Sequence, residues 1–235
     1  SGAGPYGDFV YETDDACGRI LKALEQSGQA DNTVVIFTAD NGPEKYAYRR
    51  DEVFGHWSAE PFRGLKRDIY EGGHHVPFII KWPGLTKPGA VCDRLASQID
   101  FMATFASALG YSLPNDAAED SHDLLPLLKG KKASPRKAHV HNTRAEAWAI
   151  RVGEWNLSAG KSGCHSGRVK TWEEKRNYPG DDDDPVELYH YTKDPSQRVN
   201  LAKKFPNKVK QLEQEIKRAI ERGFTAPRLL GLPSP

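Results

Sequence analysis

Residues Asn32 to Gly42 read N-T-V-V-I-F-T-A-D-N-G, and this stretch decides the fold class. Val34, Val35, Ile36 and Phe37 form an apolar run too short for a helix and rich in β-branched side chains, which predicts a buried strand. Runs of this kind, covered on both faces, belong to parallel sheets in α/β proteins. The strand ends on a carboxylate, Asp40, and a carboxamide, Asn41, with the turn residue Gly42 behind them. Open α/β sheets bind their ligands just outside the carboxyl ends of the strands. Two oxygen donors at such a strand end predict a site for a hard cation. The rival reading is a turn whose Asx side chains bond their own backbone.

On the N-terminal side, Tyr6 to Ser27 predicts a helix. Phe9, Val10, Thr13, Cys17, Ile20, Leu21 and Leu24 recur at three- and four-residue steps, and Gly28 is placed to end it. Helix, short loop and strand make one step of a doubly wound sheet. On the other side, Pro43 to Phe62 has no clear periodicity and predicts a long loop, a length that is often functional when ordered. Val76 to Trp82, V-P-F-I-I-K-W, is the next strand, with Pro77 near its start where proline is tolerated. Asp100 to Leu109 predicts a helix with Phe101, Phe105, Ala108 and Leu109 inward.

Further along, Ser121 to Gly130 reads as a short amphipathic turn or helix, and Lys129 to Lys137 as a basic, proline-containing connector. The texture then changes. Ala147 to Leu157 and Val186 to Tyr191 predict antiparallel strands, with the polar, turn-rich Gly160 to Asp184 between them. Lys208 to Arg222 is a closing helix with Val209, Leu212, Ile216, Ala219 and Ile220 on one face. The expected architecture is α/β: residues 1–130 form the later part of a doubly wound sheet, and residues 131–235 a small C-terminal α+β subdomain with an antiparallel sheet.

Composition narrows the function classes. The 235 residues are 38% hydrophobic and carry a formal net charge of +1, which argues against a broad nucleic-acid footprint. No run approaches the roughly 18 apolar residues of a membrane span. Cys17, Cys92 and Cys164 are far apart and form no C-x-x-C, so neither a zinc knuckle nor a disulfide framework is indicated. The first residues, S-G-A-G-P, hold no initiator Met and no targeting segment, which places the expected start of the protein upstream.

T-A-D-N-G followed by R-G-L-K-R-D-I-Y-E-G-G-H-H-V-P-F-I-I-K-W-P-G resembles the second half of a type I sulfatase of the alkaline-phosphatase-like superfamily. The similarity continues through A-I-R-V-G-E-W-N-L and E-L-Y-H-Y-T-K-D-P-S-Q-R-V-N-L. Several motifs in order are far more specific than D-N-G alone, which would be only a turn signal. The resemblance implies sulfate-ester hydrolysis on a sulfated carbohydrate or aryl sulfate. It implies that Asp40 and Asn41 are the two later ligands of a calcium site, with magnesium as the other hard cation. It implies that Lys66 contacts a sulfate oxygen, where an ammonium would neutralise charge on the sulfuryl group and the leaving oxygen. A basic surface loop with Arg63 and Arg67 is the rival for Lys66.

Other residues are weaker candidates. His56 stands in G-H-W-S near Tyr46, Tyr48, Arg49, Arg50 and Trp57, where rings and guanidinium groups would suit a sulfated sugar. Glu71-Gly72-Gly73, His74 and His75 read as architecture. His139 and His141, two apart before a strand, are a weak metal candidate, and Asp181 to Asp184 reads as a solvated loop.

The family nucleophile, a Cys or Ser in a C/S-x-P/A-x-R pattern matured to formylglycine, has no match at A-C-G-R, V-C-D-R or G-C-H-S. The resemblance therefore implies that an N-terminal half of the domain supplies the nucleophile and the remaining metal ligands, and that this chain is inactive by itself. A periplasmic, secreted or lysosome-like location is what the family suggests. The rivals are a phosphatase or phosphonate hydrolase of the same superfamily, which D-N-G in place of D-H-G disfavours, and a non-catalytic carbohydrate-binding relative.

Overall fold

The computed structural model describes residues 1–144, 147–160, 163, 166–178 and 185–229. In chain order its elements are α1 (Gly4–Gln26), β1 (Val35–Thr38), α2 (Tyr46–Phe54), α3 (Glu71–His74), β2 (Phe78–Lys81), α4 (Phe101–Ala108), α5 (Leu125–Leu128), β3 (Ala138–Arg144), β4 (Ala147–Val152), β5 (Trp155–Ala159), α6 (Lys170–Lys175), β6 (Val186–His190) and α7 (Pro206–Arg222). Contacts group them into two units. One holds Ser1–Ala90 and Cys164–Gly180, the other Val91–Gly163 and Asp181–Pro235.

In the first unit, β1 and β2 pair antiparallel, Val35 opposite Lys81 and Thr38 opposite Phe78. This corrects the expected parallel pairing. An apolar run specifies a strand but not the direction of its neighbour, and the long connection from β1 to β2 can return either way. The expected burial on both faces is also corrected: Phe37 is 41% exposed and its cross-strand partner Ile79 63%. α1 forms where the periodicity predicts, with proline in its first turn as helices tolerate, yet none of its residues is buried. Its apolar stripe, including Phe9, Ile20 and Leu21, faces solvent in this chain.

The supposed loop from Pro43 to Phe62 contains α2, which ends at Gly55 in the left-handed conformation. Its charged residues hid the periodicity, because only Ala47 and Tyr48 face inward. They join Trp57, Ala59, Leu65, Trp172 and Tyr178 in the core of this unit. The rings interlock, with Trp57 and Trp172 at 4.2 Å and Tyr48 edge-on to Trp172 at 5.0 Å. Trp172 comes from α6, in a stretch expected to be polar and turn-rich.

The second unit is built on a four-stranded antiparallel meander, β3-β4-β5-β6. β4 and β5 match the predicted antiparallel region, split at Gly153 where φ is positive. β3 was missed: His139 and His141 lie within it rather than before it. Ile150, Leu157 and Leu188 meet Leu212 and Ile216 of α7 in one core. Burying each such side chain contributes about 1.5–3 kcal/mol. In α4 the inward residues are Ala103 and Thr104, while Ala108 and Leu109 are exposed, against expectation.

Candidate functional site

The turn after β1 is laced to the loop that carries Lys66. Gly42 N–H donates to the Gly73 carbonyl at 2.9 Å, and Lys66 N–H donates to the Pro43 carbonyl at 2.9 Å. Glycines make this approach possible. A Cβ on Gly42 would stand 1.8 Å from the Gly72 oxygen, and one on Gly72 2.3 Å from the Gly64 oxygen. E-G-G is thus architectural, as its sequence suggested. Buried Glu71 holds His75 through Nδ1 at 3.0 Å and faces His74 Nε2 at 3.9 Å, so both histidines flank a structural carboxylate.

Asp40 is exposed at the end of the strand, and its Oδ1 accepts the Asn41 N–H at 3.0 Å. Asn41 Nδ2 donates to the Gly42 carbonyl at 2.8 Å. These are the local Asx bonds of the rival reading, yet they also fix the amide so that its oxygen accepts no hydrogen bond among the described residues. A carboxylate and an amide oxygen on one turn suit calcium or magnesium. They fit part of such a site. Calcium takes about six to eight oxygens, and among the described residues no group of three or more His, Cys, Asp or Glu is placed to hold a metal.

Lys66 is half-buried, and its Nζ lies 3.5 Å from Glu44 Oε1. The other Glu44 oxygen accepts from Arg67 Nη1 at 2.8 Å. The Arg67 hydrogen bond pulls the Glu44 carboxyl down to about 2, so Glu44 is an anion at any working pH. Sequence reasoning missed Glu44, which sits three residues after Asn41 in D-N-G-P-E and links Lys66 with Arg67.

His56 lies in the same unit. Its ring lies 5.9 Å from Tyr6, which in turn carries the Arg50 guanidinium at 3.5 Å over its face. No described hydrogen bond or ring contact joins His56 to the turn at Asp40. Of the aromatic residues around it, Tyr48 and Trp57 are core residues and cannot stack on a sugar, whereas Tyr46 is exposed. In the second unit His139 and His141 stack side by side on β3 with centroids 5.3 Å apart. Asp181 to Asp184 and Cys164 lie outside the described residues.

A sulfatase family model matches residues 2–111, and a model described as N-sulphoglucosamine sulphohydrolase, C-terminal, matches residues 64–224. The chain belongs to the sulfatase family. This sulfatase chain is 35% identical over 218 residues to an N-acetylgalactosamine-6-O-sulfatase of Bacteroides thetaiotaomicron, covering 91% of this chain and 41% of that protein. It is 34% identical over 218 residues to arylsulfatase A of Homo sapiens, covering 86% and 39%. Its fold is similar to a solved Bacteroides thetaiotaomicron structure from work on the metabolism of multiple glycosaminoglycans, with a TM-score of 0.76 at 31% identity over 93% of this chain and 45% of that one. A sulfatase from Pseudoalteromonas sp. shares the fold at a TM-score of 0.68 and 24% identity, over 89% and 41%. The sulfatase chain spans about two fifths of the length of these curated relatives.

Proposed function

We propose that the complete protein hydrolyses sulfate esters of a carbohydrate or an aryl alcohol, and that this chain supplies one wall of its active site. The observation that carries this reading is the pair of backbone bonds that brings the Asp40–Asn41 turn and the Lys66 loop together. In this reading Asp40 Oδ2 and the Asn41 amide oxygen hold a calcium or magnesium ion. Bound there, the ion supplies positive charge toward sulfate oxygens. Lys66 donates to a further sulfate oxygen and offsets charge on the ester oxygen as the S–O bond breaks. Glu44 orients the ammonium before substrate arrives. His56, beside Tyr6 and Arg50, contacts the group that bears the sulfate.

The nucleophile, a formylglycine, and the other metal ligands belong to an N-terminal half of the domain. The exposed stripe of α1 and the exposed Phe37–Ile79 cross-strand pair support this, since each is apolar surface that a further element of the domain would cover. A division at about residue 130 belongs to this reading on the basic, proline-containing sequence of Lys129 to Lys137, although contacts group α4 and α5 with the C-terminal sheet. The sulfated substrates named for the relatives support a sulfated glycan or aryl sulfate here.

The test is sulfate release from an aryl sulfate and from a 6-sulfated amino sugar by the complete protein with calcium. Turnover that Asp40→Ala abolishes is the expected result, with no turnover by residues 1–235 in isolation. Phosphate release from an aryl phosphate without sulfate release would replace this reading with the phosphatase one.

A further inference from the structure

The connection between β5 and β6 does not stay with its strands, because residues Cys164–Gly180 group with the first unit. This excursion brings Ser166 to the Lys66 loop, where three successive backbone N–H groups are each held. Leu65 N–H donates to Asp68 Oδ2 at 2.7 Å, Lys66 N–H to the Pro43 carbonyl at 2.9 Å, and Arg67 N–H to Ser166 Oγ at 3.2 Å. Ser166 N–H closes the arrangement on Asp68 Oδ1 at 2.8 Å. Asp68 is 2% exposed and Ser166 7%, so these bonds are shielded from competing water. The Lys66 side chain, by contrast, is 37% exposed and makes an ion pair of the loose surface kind. The backbone beneath it therefore sets where the ammonium can reach, and Glu44 orients it within that range only loosely.

Resting on the reading of Lys66 as a sulfate-binding lysine, we propose that Ser166 and Asp68 are positioning residues that fix the Lys66 backbone so that its ammonium meets the ester. The hydroxyl of Ser166 holds the amide after Lys66, and the carboxylate of Asp68 holds the amide before it. The excursion from the C-terminal sheet is thereby part of the catalytic apparatus without touching substrate. A misplacement of about 1 Å at a reacting centre costs up to about 10²-fold in rate.

The experiment is a double-mutant cycle in the complete enzyme, following sulfate release. Ser166→Ala is expected to lower kcat about tenfold and leave KM within about twofold, with only the small fall in melting temperature that an Arg67 amide without its acceptor causes. On a Lys66→Ala background the same change is expected to cost nothing more, because no ammonium remains to be placed. Asp68→Asn keeps the volume while losing one acceptor, and provides the same cycle if Ser166→Ala folds poorly. A full wild-type kcat for Ser166→Ala overturns the inference, as does an equal loss on the Lys66→Ala background. A wild-type rate for Lys66→Ala alone would instead overturn the underlying reading of Lys66.

Discussion

Gly42 and Gly72 approach so closely that no side chain fits between the two backbones, a Cβ on Gly42 falling 1.8 Å from the Gly72 oxygen. The contact is backbone against backbone, so no flexible side chain can give way. Gly42→Ala should therefore push the Asp40–Asn41 turn off the Lys66 loop. We expect a destabilisation of about 1–3 kcal/mol, as for other overpacked sites, and a loss of sulfate release larger than that stability change explains. Denaturant melting and steady-state kinetics on the complete protein check the two parts separately. Unaltered kinetics would detach the close approach from the site.

Lys66→Ala in the complete enzyme should lower kcat/KM by about 10²–10³, the usual cost of removing one preorganised contact to developing charge. Lys66→Arg should restore it only in part, because a planar fork does not replace a compact ammonium. The Arg67 side chain pairs with the Glu44 oxygen that Lys66 does not use, and it is 53% exposed. Arg67→Ala should change the rate by less than about tenfold, or 1.4 kcal/mol. Equal, small effects from Lys66→Ala and Arg67→Ala would reduce the region to a basic surface loop.

Asp100 and Arg136 form an ion pair within the second unit whose side chains are 0% and 1% exposed. Arg136 Nε donates to Asp100 Oδ2 at 2.9 Å, while the backbone N–H groups of Ser97 and His122 donate to the same carboxylate. Arg136→Met leaves a buried carboxylate without its counter-charge, and should cost about 3–5 kcal/mol. Replacing both partners by apolar residues should not recover all of this, because the Ser97 and His122 amides would then lack an acceptor. Urea unfolding of the single and double variants measures the difference.

His122, whose amide binds Asp100, has its imidazole pKa lowered from 6.5, first by burial and then by the Arg136 charge. The folded state therefore favours the neutral ring, and the unfolded chain binds the proton more readily. Stability from this group is fully present above the unfolded value near 6.5 and is lost as pH falls below it toward the folded value. The melting temperature should fall between pH 7 and pH 5, and His122→Asn should flatten that part of the profile. An identical slope in the variant would assign the acid sensitivity to other groups.

Much of the fold was legible where one local pattern decides the outcome. The three- and four-residue spacing in Tyr6 to Ser27 and Lys208 to Arg222 predicts α1 and α7 closely. The turn after β1 was legible as a turn because carboxylate, amide and glycine follow one another in a single stretch. What escaped depends on distant partners. The antiparallel sense of β1 and β2 is set by pairing, not by either strand. α2 and α6 have few inward residues, and those become visible only once Trp57 and Trp172 meet. Glu44 reads as an ordinary acid until Lys66 and Arg67 arrive beside it. Asp100 and Arg136 are 36 residues apart and carry no shared motif.

The brace on the Lys66 loop also sets a schedule. Ser166 follows Asp68 by 98 residues, so a chain emerging from the ribosome presents the lysine loop long before the hydroxyl that ties it. At about 5–20 residues per second, that interval lasts on the order of 5–20 s. During it, the Pro43 carbonyl and the Asp68 carboxylate can hold the Lys66 and Leu65 amides, but the Arg67 amide waits for Ser166, which follows β5 in the chain. Pairing across such a separation closes a large loop and is slow in any folding reaction. The nascent polypeptide therefore completes this corner only once the segment between β5 and β6 has been made, and a message truncated before the Ser166 codon would encode the lysine without the means to hold it in place.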